Sequence, residues 1–269
     1  MSENFERYTE TNVVASLVIY EWAAELDIFR AHDILDKIVE IIALAPDIAT
    51  VAGEKTSRDY LYRNFVKLDV LHKREWQALS YLWKRSVDTL SDFAIEIACS
   101  PDSFRCFEIH IDKAAVADFN GTFQKIIRLL CEELQPVYGI GLSMPYFWGP
   151  RAFAHGSASS RFATVDKTVY GPPPEMKEQF FAFGPIFRAE GATRQLDQKL
   201  RDLFPFNLLS EGHLDRQIDG KRLENWIEEN SFGVLRKLSA VTWQWDVPLG
   251  DVQTIRRRLI DADLTVVKQ

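Results

Sequence analysis

The feature that most constrains the fold is a block of the chain, residues 93–145, in which two alternating segments precede a helix and a further strand. The segments DFAIEIAC and SFRCFEIHID alternate with a period of two, which is the period of a strand. Between them, Pro101 and Asp102 are typical of a turn. The next segment, DFNGTFQKIIRLLCEELQP, carries apolar residues at helical spacing, and VYGIGLSM follows as a strand. The order β-β-α-β predicts an α+β fold, with an antiparallel or mixed sheet, helices packed on one face and a ferredoxin-like central unit.

Further elements are predicted on both sides of this block. Residues 11–22 are rich in β-branched side chains and predict a buried strand, and residues 27–46 have the apolar spacing of a helix that ends at Pro46. Similar leucine spacings predict a helix over residues 67–90 and a short helix over residues 191–205.

The proline run GPPP at 171–174 is typical of a linker or of a large exposed loop. We therefore expect an α+β domain over residues 1–170. The remaining residues, 171–269, form a C-terminal α+β segment that either folds separately or belongs to the same domain.

Composition narrows the classes of partner. The formal charge of −7 argues against nucleic acid, whose binding needs dense Lys and Arg, and it suits a basic protein partner such as a toxin or effector. The three cysteines lack the CxxC spacing of a structural zinc site and are too few for a disulfide framework. No apolar run approaches the roughly 20 residues that cross a bilayer, and MSENFERYTE does not resemble a signal peptide. We expect a cytoplasmic protein without a membrane segment.

The first candidate site is the polar face of the second alternating segment. Glu108 and His110 lie two residues apart beside Cys106, so the three side chains project the same way, and Glu96 joins them if the strand register allows. A carboxylate beside an imidazole can orient a general base, and Glu108 with His110 can also bind a divalent metal. Alternatively, this is the solvent-exposed face that antiparallel sheets often have. The sequence leaves these readings open.

Two further candidates follow in the chain. In HGSASSR, His155 stands near Ser157, Ser159 and Ser160, but no nucleophile elbow presents a serine, and the composition is typical of a flexible loop. In YGIGLSMPYFWGP, the rings of Tyr146, Phe147 and Trp148, with Arg151 close behind, are candidate anchors for a protein partner.

No nucleotide-binding, hydrolase-elbow or zinc-protease motif is present, so the sequence predicts no cofactor and favours a binding protein over an enzyme. The segments VYGIGLSMPYFWGPRAFAHG, DLFPFNLLSEGHLDRQIDGKRLENWIEEN and WQWDVPLGDVQTIRRRLIDADL resemble uncharacterised bacterial proteins of the immunity type. That resemblance implies a toxin-neutralising or defence-associated α/β protein that binds its partner stoichiometrically. The alternatives are a metal-dependent hydrolase or nuclease that uses Glu108 and His110, with Glu96 or His155, and a structural component of a phage or secretion assembly.

Overall fold

The computed structural model describes residues 13–73, 75–84, 93–101, 105–145, 149–156, 174–189 and 191–268. Within them, ten strands form one antiparallel sheet in the order β11-β12-β8-β7-β1-β6-β5-β4-β2-β3, and a short hairpin pairs β9 with β10. The strands are β1 Val13–Trp22, β2 Ile48–Ala52, β3 Ser57–Leu61, β4 Ala78–Lys84, β5 Phe93–Ser100, β6 Cys106–Asp112, β7 Pro136–Pro145, β8 Phe206–Leu209, β9 Gln217–Ile218, β10 Lys221–Arg222, β11 Val234–Lys237 and β12 Trp243–Asp246.

Eight α-helices accompany the sheet in the described part of the chain. They are α1 Ile28–Ile42, α2 Tyr62–Phe65, α3 Phe119–Glu133, α4 Pro150–His155, α5 Pro174–Phe187, α6 Glu211–Leu214, α7 Leu223–Asn230 and α8 Val252–Asp261. Of these, none is long and apolar enough to cross a membrane.

The centre of the sheet confirms the predicted fold class. The four central strands lie in the order β7-β1-β6-β5. Apart from β2, β3, α2 and β4, which are inserted between α1 and β5, the chain passes through β1, α1, β5, β6, α3 and β7, which is the ferredoxin-like arrangement. Helices α1 and α3 pack on the same face, where apolar side chains of both helices meet Leu17, Ile109 and other odd-numbered residues of β1 and β6.

Local sequence explains where α1 begins and ends. The Asp27 carboxylate accepts a hydrogen bond of 2.8 Å from the Arg30 amide, which satisfies an amide of the first turn. Ile34, Leu35 and Ile38 are fully buried against the sheet, and Ala43 ends the helix in the left-handed conformation.

The opposite face of the sheet is covered as well. Val18 and Tyr20 of β1 pack there with Phe153 of α4, Phe183 of α5 and apolar residues of the C-terminal segment. Strands β8, β11 and β12 come from residues 171–269 and continue the sheet that β1–β7 begin. Both predicted segments therefore contribute to one sheet.

Two local predictions are wrong. Within the predicted helix over residues 67–90, residues 78–84 form β4, in which Leu79, Tyr81 and Trp83 face α1. The predicted helix over residues 191–205 is a single 3₁₀ turn at Gly191–Arg194, because Gln195 takes a left-handed φ of 56° and turns the chain.

Candidate functional site

Strand register gathers the polar residues that the sequence places on β6. Because β6 lies between β1 and β5, His110 has Ser16 on one side and Glu96 on the other. Glu96 therefore does face His110. The prediction of a solvent-exposed face is wrong, since Glu96, Glu108 and His110 are each at most 3% exposed.

Helix α4 seals this face and adds two side chains. It contacts β1 and β6, begins after Gly149 with Pro150 in its first turn, and ends at Gly156 in the left-handed conformation. Its Arg151 Nε lies 2.8 Å from Glu108 Oε1, and Arg151 also pairs with Glu96. We call Ser16, Glu96, Cys106, Glu108, His110, Arg151 and His155 the Glu108 cluster.

Both oxygens of Glu108 are engaged. Oε1 pairs with Arg151, while Oε2 lies 3.0 Å from His155 Nε2 and 3.2 Å from His110 Nε2. The second ring nitrogen of His110, Nδ1, is 2.8 Å from the Ser16 hydroxyl. The imidazole of His155 also stacks on the Phe187 ring, with centroids 4.7 Å apart. The cluster therefore joins three strands, β1, β5 and β6, to helix α4 around one carboxylate.

These neighbours determine how the buried groups ionise. Burial alone raises the pKa of Glu108, but the charges of His155 and Arg151 and the hydrogen bond to His110 outweigh it and hold the pKa well below its ordinary value. Burial, with the charge of Glu108, raises the pKa of the Cys106 thiol well above its ordinary value. At neutral pH, Glu108 is thus a weakly basic carboxylate beside a protonated thiol, which suits charge pairing better than proton abstraction.

A buried arginine fixes the end of α4. Arg201 is 1% exposed, and its guanidinium donates to the carbonyls of Phe153 at 2.7 Å and Ala154 at 3.1 Å. It also donates to the Tyr20 hydroxyl at 2.7 Å and lies over the Phe183 ring. A cation at the last carbonyls of a helix is favourable, and here it holds the turn that carries His155.

A second polar cluster lies on the other face of the sheet. Asp36 of α1 accepts hydrogen bonds from the hydroxyls of Tyr81 at 2.9 Å and Tyr62 at 3.3 Å, and its carboxylate is 3.2 Å from His32 Nδ1. The hydrogen bond to Asp36 raises the pKa of His32. Burial alone raises the pKa of Asp36, but the bonds from His32 and the two tyrosines lower it overall. We call these four residues the His32 cluster.

The His32 cluster borders a surface cavity of about 350 Å³ between α1 and residues 65–72. Phe29, Val66 and Leu68 line it and are 39%, 52% and 45% exposed, so the rim is an open apolar surface. The remaining lining residues are His32, Phe65, Lys67, Asp69, Val70, Leu71 and His72.

Of the residues that the sequence singled out, Glu96, Glu108, His110, His155 and Arg151 come together in the Glu108 cluster. Tyr146, Phe147 and Trp148 lie outside the described residues, as do Ser157, Ser159 and Ser160. The catalytic, metal-binding and partner-binding roles remain predictions. The sequence analysis missed the His32 cluster, although a histidine and an aspartate four residues apart on a predicted helix are a usable signal. It also missed Arg201, which nothing in the local sequence distinguishes.

The sequence and the fold of this chain were compared with those of known proteins. No protein-family model matches the chain, and no curated protein matches it. The solved structure of a Pseudomonas aeruginosa T6SS protein is similar, with a TM-score of 0.49 and 11% sequence identity. The match covers 96% of this chain and 73% of that one.

Proposed function

We propose that this chain is a non-enzymatic protein-binding protein of the bacterial immunity or defence-associated kind, which neutralises a basic protein partner. The observation that carries the proposal is the open apolar surface of Phe29, Val66 and Leu68 around the cavity beside α1. Apolar side chains that gather around a surface cavity in this way mark interaction sites, whereas single exposed apolar residues need no explanation.

Charge supports a basic partner. The chain carries a formal charge of −7, and opposite charges raise the rate of encounter between two proteins. Asp69 and Lys67 both line the cavity and are exposed, with the Asp69 side chain 72% exposed, and Asp33 of α1 is exposed as well. An apolar surface with acidic side chains close by suits a partner that presents Lys or Arg beside an apolar anchor.

The Glu108 cluster supports a structural role better than hydrolysis. A general base needs a lone pair that can reach a substrate, but both oxygens of Glu108 contact Arg151, His110 or His155. The same contacts fasten α4 to the sheet. In the sequence, only Gly149 separates Tyr146–Trp148 from α4, and we keep these three aromatics as proposed partner anchors together with the cavity surface.

The test is co-expression with the protein encoded next to this chain's gene. We expect that neighbour to arrest growth when expressed alone, and this chain to restore growth and co-purify with it in a fixed ratio. The double variant Phe29→Ser with Leu68→Ser should weaken both effects. Tyr146→Ala, Phe147→Ala and Trp148→Ala, combined in one chain, should abolish binding while the fold persists, which circular dichroism measures.

A matched control is Leu249→Ser, since Leu249 is 79% exposed and lies outside the cavity lining. It should rescue growth like the unaltered chain. A neighbour that is harmless, or rescue that survives both the cavity variant and the triple aromatic variant, would contradict the proposal. Rescue that fails only with the triple aromatic variant would assign partner binding to residues 146–148 instead of the cavity surface.

A further inference from the structure

We propose that Cys106, Glu108 and His155 form a binding site for a divalent transition-metal ion, for which zinc is the best match. One ligand atom from each residue lies within 4.8 Å of the other two. The three come from β6 and α4, so the site exists only where the helix meets the sheet. This inference is independent of the proposed partner binding.

The donor set selects the class of ion. A thiolate, an imidazole and a carboxylate are the three ligand types that zinc uses in proteins, whereas Mg²⁺ and Ca²⁺ prefer oxygen ligands alone. Three protein ligands leave a fourth position for water. The His155 side chain is 25% exposed, while Cys106 and Glu108 are buried, so His155 marks the side from which an ion enters.

The surrounding charges balance once an ion is bound. A Cys106 thiolate and the Glu108 carboxylate together carry two negative charges, which a divalent ion neutralises. Arg151 keeps its second carboxylate partner, Glu96, so the neighbouring pair is neutral as well. A buried charge without a partner is what destabilises such sites, and the filled site contains none.

Binding exchanges protons for the ion. The Cys106 thiol loses its proton, and His155 Nε2 presents its lone pair to the ion instead of facing Glu108 Oε2. Affinity should therefore fall as pH falls, because protons compete for both ligands. The outer contacts suit this exchange: Arg151 Nε holds Oε1 and leaves Oε2 directed toward His155, while Ser16 fixes the ring of His110 beside the carboxylate.

The experiment titrates the full-length, reduced chain with Co²⁺ alone, as a spectroscopic probe, and then displaces it with Zn²⁺. We expect a near-ultraviolet thiolate-to-cobalt charge-transfer band with one equivalent of Co²⁺, which Zn²⁺ abolishes. Cys106→Ala should remove the band. The control is Cys99→Ala: Cys99 lies on the neighbouring strand, one residue from the position that pairs with Cys106, but its side chain belongs to the core on the other face.

If Cys106→Ala does not fold, His155→Gln provides the test instead. His155 is partly exposed, so this variant should keep the sheet intact. It should lower Co²⁺ affinity at least tenfold and remove the zinc-induced rise in melting temperature that the unaltered chain and Cys99→Ala show. Absence of the charge-transfer band in the unaltered chain, cobalt binding without thiolate character, or equal binding by His155→Gln would each overturn the site. Any of these would leave the Glu108 cluster as a purely structural ion network.

Discussion

The Glu108 and His32 clusters each place a carboxylate beside a histidine, but they do so on opposite faces of the sheet and in different surroundings. Glu108 is sealed under α4, with a side chain 3% exposed, and an arginine compensates its charge. Asp36 is 38% exposed at the side of a cavity, and its further partners are two neutral tyrosine hydroxyls. The comparison teaches that burial decides which partners a carboxylate needs: a sealed one requires a cation, whereas an open one is also solvated by water.

The largest effect on stability is expected for Glu108→Gln. This change keeps the shape but removes the charge that Arg151 and His155 face, so the free energy of unfolding should fall by about 3 kcal/mol. Urea denaturation measures it. Glu229→Gln is the control, since Glu229 pairs with Lys221 on the surface and its loss should leave stability nearly unchanged. An equal loss of unfolding free energy in the two variants would show that the Glu108 cluster contributes no more to stability than a surface ion pair.

Removing one hydrogen bond in the His32 cluster should lower the free energy of unfolding by less than Glu108→Gln does. Tyr81→Phe removes one hydrogen bond to the Asp36 carboxylate and leaves the ring in place, so we expect a loss of about 1.5 kcal/mol. Tyr62→Phe, whose hydroxyl lies 3.3 Å from the same oxygen, should have a smaller effect. A loss for Tyr81→Phe as large as that for Glu108→Gln, again in urea denaturation, would remove the distinction between the two clusters.

The two clusters should also differ in their response to pH. His32 has a raised pKa in the folded chain, so its contribution is complete below the ordinary histidine pKa of about 6.5 and is lost as pH rises through the folded pKa. Asp36 and Glu108 have lowered pKa values, so their contributions are complete above the ordinary carboxyl range and are lost as pH falls through the folded values.

Because the pKa of Glu108 is held well below its ordinary value, its contribution to stability should persist below the ordinary carboxyl range. Denaturant titrations of the unaltered chain from acidic to mildly alkaline pH measure this loss, and the same titrations of His32→Gln isolate the contribution of His32. The difference in unfolding free energy between them should shrink as pH rises above the folded pKa of His32. A difference that stays constant across the range would contradict the assigned role of the His32–Asp36 pair.

The smallest effects are expected at the rim of the cavity. Leu68→Ser and Val66→Ser should each lower the free energy of unfolding by less than about 1 kcal/mol, because both side chains are about half exposed. Leu71 lies in the same segment but is only 7% exposed, so Leu71→Ser should lower the free energy of unfolding by clearly more. If thermal melting finds the rim residues as costly as Leu71, the apolar surface belongs to the core rather than to a binding site.

The sequence alone predicted the ferredoxin-like centre of the sheet. It also predicted that Cys106, Glu108 and His110 share a face, because side chains alternate between the two faces of a strand. It failed at residues 78–84 because both faces of β4 are buried. Ser80 and Leu82 are nearly as enclosed as Tyr81, so no polar alternation distinguishes a strand from a helix. His155 was considered beside Glu108 only in the hydrolase alternative, and Arg151 only as a partner-binding residue. Their contacts with Glu108 depend on where α4 packs, and packing between residues so far apart in the sequence leaves no local pattern.

The position of β1 in the sheet has a consequence for how the chain folds. This strand comes first among the ten, yet it lies between β6 and β7, which follow only after α1, β2–β5 and, for β7, α3 have been synthesised. Because nearly every residue of β1 is buried in the finished sheet, the nascent chain exposes an apolar strand with two unpaired edges until those partners emerge. During synthesis, a chaperone that shields β1 should therefore raise the yield of folded protein more than one that shields the late strands β11 and β12. Refolding of the complete chain should be slow for a related reason, since β1 pairs with strands that are far away in the sequence.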